Sequence, residues 1–116
     1  MPIIDHNLQP TTQCGDKCTT RSLVDSSNGA ISLTITEMIV DPGYIGILHT
    51  HDKEQAITVL EGSIQLISED EIKTVRPGHT LFAPQGTAHK LVNNTWIPAR
   101  LHVVYPSSVL ETNYRE

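Results

Sequence analysis

The sequence predicts an all-β chain, a sandwich or barrel of antiparallel strands, and three observations predict it. Short runs of Ile, Leu, Val and Thr alternate with polar residues at period two, as half-buried strands do. Turn signals built from Pro, Gly, Asn and Asp recur every few residues. No stretch carries the 3.6-residue apolar period of a helix, and no fixed repeat or low-complexity tract is visible.

Composition bounds the rest. A chain of 116 residues is expected to form one domain with a real core. Aromatics are few (one Trp, one Phe, three Tyr), so core filling rests on Ile, Leu and Val, residues that favour strands. A formal net charge of −5 and the lack of any basic run argue against nucleic acid as a partner. There is no apolar stretch of membrane-spanning length, and the start, MPIIDHNLQP, has neither the basic nor the apolar region of a signal peptide. The expectation is a soluble cytoplasmic protein with no membrane partner. Two cysteines, Cys14 and Cys18, are too few for a structural zinc site of their own. Two reduced thiols are expected, with a local disulfide as the alternative.

Taken in order, residues 1–20 read as a polar N-terminal arm or edge strand, with one short strand at Pro2–Ile4. Arg21–Val24 is a short strand, and Ser26-Ser27-Asn28-Gly29 a turn. Ala30–Val40 alternates, with Ile31, Leu33, Ile35 and Ile39 on one face and Ser32, Thr34, Thr36 and Met38 on the other. Asp41-Pro42-Gly43 turns the chain into a strand over Tyr44–His49, a polar loop follows, and Gln55–Leu60 is the next strand. Further strands are expected at Ser63–Ser68, Ile72–Val75, Thr80–Ala83, Ala88–Val92 and Arg100–Tyr105, with a Pro98-interrupted run over Trp96–Ala99. The barrel thus spans 21–106, and the tail 107–116 has room for one helical turn at most.

Six histidines in so short a chain are the compositional oddity. His49 and His51 stand two apart, so on a strand they share a face and can chelate one ion. His89, in the later stretch GHTLFAPQGTAHKLVN, is placed to complete the set. Gln55, Ile57 and Val59 share one face of their strand, and His89 and Leu91 share one of theirs.

These two stretches resemble the paired motifs of the cupin superfamily. The first motif, G-x5-H-x-H followed by Glu and then Gly, is met by Gly43, His49, His51 and Gly62, with Gln55 in place of Glu. The second, G-x5-P-x-G-x2-H-x3-N, is met by Gly78, Pro84, Gly86, His89 and Asn93. The resemblance runs from Gly43 to Asn93 and implies a single-domain jelly roll (a double-stranded β-helix). Inside it His49, His51, Gln55 and His89 would hold one divalent transition metal ion. Glu54 competes with Gln55 for the fourth place, although strand parity turns it the other way. Three imidazoles and a carboxamide are all neutral, so an ion there keeps its full charge and acts as a stronger Lewis acid. Imidazole-rich donors suit Zn, Ni, Fe or Cu.

The resemblance implies a small-molecule substrate or ligand and leaves the reaction open. Small cupins include dioxygenases, decarboxylases, sugar isomerases, lyases and non-catalytic binding proteins. The three-His, one-Gln set resembles that of cupins that open unsaturated uronic acids, and also that of some dioxygenases. The expected activity is a metal-dependent reaction on a keto, enol or sugar acid, by isomerisation, ring opening or O2-dependent cleavage. A sensor or carrier without turnover is the alternative, and a cyclase in a biosynthetic pathway a third reading. His102 is the tentative catalytic base if its face of the last strand is interior, and Glu37 is the other candidate; if Leu101, Val103 and Tyr105 face inward, His102 is merely exposed. His6 and His79 are expected on the surface, and Tyr44 outside the barrel. Met38, Phe82 and Trp96 are candidates for the cavity mouth, with packing in the core or at an interface as the favoured reading. Small cupins commonly pair through sheet edges, so a homodimer is expected, with the N-terminal arm crossing to the partner.

Overall fold

The computed structural model describes residues 1–109 and 112–115. Eleven strands are present among them: β1 (Thr12–Gln13), β2 (Cys18–Val24), β3 (Thr34–Val40), β4 (His49–His51), β5 (Gln55–Glu61), β6 (Ile64–Ser68), β7 (Ile72–Val75), β8 (Thr80–Ala83), β9 (His89–Val92), β10 (Ala99–Tyr105) and β11 (Thr112–Tyr114). They form two antiparallel sheets, one of six strands ordered β1-β2-β3-β10-β5-β8 and one of five ordered β11-β4-β9-β6-β7. This is the antiparallel β architecture that the alternating pattern and turn signals predicted, and the jelly roll that the cupin resemblance implied. Helical structure among the described residues is limited to two single 3-10 turns, so no helix is long and apolar enough to cross a membrane.

The core lies between the sheets. Val40, Ile57, Val59, Ala99, Leu101 and Val103 from the larger sheet meet Ile64, Leu66, Val75 and Leu91 from the smaller. β5 and β10 alternate cleanly between buried and half-buried positions, which fixes their register, because a one-residue slip would reverse every side chain. On β10 the inward residues are Ala99, Leu101 and Val103, and Leu101 is fully buried.

β3 departs from the expected alternation. It begins at Thr34 rather than Ala30, and its cross-strand partners show which way it faces. Val40, Met38 and Thr36 pair with Ala99, Leu101 and Val103, so that set faces the core. Ile35, Glu37 and Ile39 therefore lie on the outer face, so the more apolar side of the alternation is not the side that meets the core. Glu37 is nevertheless only 3% exposed, because the N-terminal segment and neighbouring arginines cover the outer face there.

The two ends also differ from expectation. Pro2–Ile4 forms no strand; a 3-10 turn at His6–Leu8 follows, and Arg21 Nη1 donates to the His6 carbonyl at 2.9 Å, holding that turn against the sheet. β1 and β2 form a hairpin closed by a Cys14–Cys18 disulfide, so the expected free thiols are corrected to the local bridge. At the other end, Thr112–Tyr114 pairs with β4 as a strand where one helical turn at most was expected; residues 110, 111 and 116 of that tail lie outside the described residues.

Candidate metal centre

His49 and His51 project from β4, and His89 stands directly opposite His49 on β9. Facing positions on adjacent antiparallel strands share a sheet face, so this register brings the three imidazoles together. The ring centroids of His49 lie 4.6 Å from both His51 and His89, and His51 lies 5.6 Å from His89. One nitrogen from each ring falls within 4.8 Å of the others.

Each ring is oriented through Nδ1. His49 Nδ1 lies 2.6 Å from the Ile47 carbonyl and His89 Nδ1 lies 2.9 Å from the Thr87 carbonyl, so each donates there. His51 Nδ1 meets the Thr112 hydroxyl at 3.1 Å. A histidine whose Nδ1 proton is held by a carbonyl presents Nε2 as its metal-binding atom, the usual arrangement around a metal ligand. Tetrahedral ligands at about 2.1 Å from an ion stand about 3.4 Å apart, so small ring rotations close this set onto one ion. The donor set therefore fits a divalent transition metal.

Burial adds to this. His89 is 4% exposed, and its pKa is lowered from the ordinary histidine value by desolvation, against an upward effect of the Thr87 carbonyl and with a lesser downward one from His49. The neutral, ligating form is thus retained to lower pH.

Gln55 opens β5 opposite Ala83, 6% exposed and on the same buried face as Ile57 and Val59. Glu54, its competitor, is exposed to solvent. The motif residues that are not ligands build the frame. The Gly86 amide donates to the His51 carbonyl at 2.9 Å, tying the second motif to the first. The Asn93 side chain, fully buried, donates to the Val40 and Ile97 carbonyls and accepts from Thr95. Gly62 is the one motif glycine that needs both its positive φ of 73° and its lack of Cβ, since a Cβ would stand 2.5 Å from the Pro98 carbonyl oxygen.

A cavity of about 470 Å3 adjoins His49 and His51. Met38, Tyr44, Ile45, Ile47 and Tyr114 supply its walls, and the Cys14–Asp16 stretch of the disulfide hairpin its rim. Among the described residues lining it there is no lysine or arginine. Tyr44 is corrected from outside the barrel to the cavity wall. Residues 44–48 make only an isolated bridge, Ile45 to Val92, so strand parity does not carry from His49 back to Tyr44. Met38 lines the cavity and also packs against the core, whereas Phe82 and Trp96 are exposed elsewhere.

His102 and Glu37 are corrected as catalytic candidates. Both lie on the outer face of the larger sheet, paired across β10 and β3, with the core between them and the histidine cluster. There Glu37 accepts from Arg21 Nε at 2.8 Å and lies 3.6 Å from Arg100 Nη1 and 3.8 Å from His102 Nε2. The pKa of His102 is lowered, chiefly by burial, with Arg100 and His6 adding to that and Glu37 opposing it. His102 is therefore neither a base at the cavity nor merely exposed, but part of a charge cluster that anchors the arm. Thr112 and Tyr114 are the site residues that the sequence did not expose; two strand-favouring residues on either side of Asn113 are the faint local signal.

A Cupin domain family model matches residues 36–105. The chain is a cupin. Solved structures show the same fold. The polyketide cyclase RemF from Streptomyces resistomycificus is 28% identical with a TM-score of 0.90, over 100% of this chain and 86% of that one. A cupin-superfamily sugar phosphate isomerase from Silicibacter pomeroyi is 20% identical with a TM-score of 0.87, over 99% and 82%. KdgF from Halomonas sp. is 18% identical with a TM-score of 0.78, over 90% and 94%. No curated protein matches the chain.

Proposed function

We propose that this cupin is a metal-dependent enzyme acting on an enolisable β-dicarbonyl compound, of the kind a polyketide cyclase folds into a ring. The observation that carries the reading is the pairing of a neutral imidazole cluster with a cavity of apolar and phenolic walls. A phosphorylated sugar would ask for lysine or arginine at the wall, and none lines it among the described residues. Likeness to the RemF cyclase over the whole chain supports the same direction.

His49, His51 and His89 would hold the ion, with Gln55 as fourth ligand from the buried face of β5. An ion held there would supply Lewis acidity toward a substrate carbonyl. The chain itself does the rest. Met38, Ile45 and Ile47 cover the apolar part of the substrate and exclude water from it. A hydrogen on carbon between two carbonyls is acidic once one carbonyl is polarised, and Asp16, on the cavity rim, is the carboxylate that can accept it. Deuterium exchange at the central carbon of simple 1,3-diketones, followed by NMR with the metal-loaded protein, tests the reading. Catalysed exchange that Asp16→Asn reduces is expected. No exchange, together with O2 consumption by the Fe(II)-loaded protein, would replace it with an oxygenase.

A sensor or carrier is the second reading, favoured by the placement of His102 and Glu37 away from the cavity. Binding without exchange across diketones and uronates would establish it. The chain is further proposed to act as a homodimer, because Met1, Ile3 and Leu8 of the arm are exposed apolar residues. A monomer in sedimentation at micromolar concentration would contradict that.

A further inference from the structure

Tyr44 is held more firmly than a residue in an irregular segment needs to be. Its amide donates to Asp41, its carbonyl accepts from the Asn93 amide at 2.9 Å, and the preceding Gly43 amide donates to the Asn93 carbonyl at 2.9 Å. Asn93 is itself fully buried and bonded on both sides, so the Tyr44 backbone hangs from one of the most fixed points in the fold. The ring packs against the core, while the residue lines the same cavity as His49 and His51.

Gly46 shows where the hydroxyl goes. A Cβ at that position would stand 3.2 Å from the Tyr44 hydroxyl oxygen and 2.9 Å from the Leu91 carbonyl oxygen. Gly46 is not among the glycines with positive φ, so space rather than backbone conformation is what it provides. The phenol oxygen thus lies beside Gly46, in room that a side chain there would take. Tyr114, whose ring lies 6.1 Å from that of His49, lines the same cavity.

We propose that Tyr44 is the second binding point of the site: its hydroxyl, placed by Asn93 and given room by Gly46, donates a hydrogen bond to the oxygen of a dioxygenated ligand whose other oxygen is directed at the histidine cluster. The ligand class is a planar, enolised 1,3-dicarbonyl, neutral or singly anionic, with its apolar remainder against Met38, Ile45 and Ile47. This deepens the β-dicarbonyl reading and rests on it. A rigid phenol suits the task, because it donates from a fixed place with little rotamer freedom to lose.

The test uses Co(II)-loaded protein, acetylacetone as the probe and imidazole as a control ligand, both titrated by visible absorption, with metal content measured in parallel. Tyr44→Phe keeps the ring and its packing and removes only the donor. It is expected to retain the metal and its imidazole affinity while weakening acetylacetone binding about tenfold, the effect of one good hydrogen bond to a partly charged acceptor. Equal acetylacetone affinity in the variant and the wild type would overturn the proposal. So would parallel loss of imidazole binding or of metal, which would make Tyr44 a structural residue. If wild-type protein binds imidazole but no acetylacetone, the β-dicarbonyl reading itself fails and the role of Tyr44 falls with it.

Discussion

Thr112→Val isolates one contact to the histidine cluster. The Thr112 hydroxyl meets His51 Nδ1 at 3.1 Å from a half-buried position on β11. Valine has the same branching and strand preference, so β11 should keep its pairing with β4 while losing the hydroxyl. A neutral hydrogen bond is worth about 0.5–1.5 kcal/mol net. Partners that orient a metal-binding histidine typically matter about 10–100-fold in metal affinity. The two scales meet near tenfold, about 1.4 kcal/mol. Zn(II) affinity by competition with a chromogenic chelator is the assay, beside urea unfolding of the metal-free protein. Weaker zinc binding by about tenfold is expected, with metal-free stability lowered by no more than the about 0.5–1.5 kcal/mol of the hydrogen bond itself. Thr112→Ser should stay near wild type. Zinc affinity in the valine variant within about twofold of wild type would refute the role given to β11.

Three further outcomes follow from the outer face and the core. Glu37→Gln leaves Arg21 and Arg100 without their shared carboxylate; since both arginines reach solvent, a loss of about 2 kcal/mol in urea unfolding is expected, with metal content unchanged. Lost metal there would contradict its placement across the core. His89 and His102 both have lowered pKa values, so the unfolded chain takes up protons near the ordinary value of about 6.5 before the folded one does. Metal-free stability should therefore fall as pH drops below that value, and His102→Gln should fall less steeply; identical pH profiles would refute the contribution of His102. Leu101→Ala opens a cavity at a fully buried position and should cost about 2–5 kcal/mol by denaturant unfolding, far more than Ile72→Ala on the exposed edge strand.

Legibility of the fold in the sequence followed the locality of each cause. β5, β7 and β8 were readable almost to the residue because alternation and turn residues act within a few positions. Gln55, Ile57 and Val59 share the buried face as expected, since parity holds inside a regular strand. Parity failed where the strand itself failed. Tyr44 is separated from β4 by irregular backbone, so counting by two misplaced it. It also failed where both faces are covered. Glu37 sits under Arg21, Arg100 and the arm, which hides the difference between inside and outside. β11 was illegible because what makes it a strand is its pairing with β4, some sixty residues away. The histidine cluster needed two distant motifs read together, and the opposition of His49 and His89 is the pairing that joins them.

The metal centre itself is tested most directly by elemental analysis after equilibration with Zn, Ni, Fe or Cu and removal of excess. The expectation is about one equivalent of a divalent transition metal in the wild type, as a single set of three imidazoles would hold, and loss of it in His49→Ala and His89→Ala. No metal in the wild type, or the same content in both variants, would contradict the assignment of these histidines.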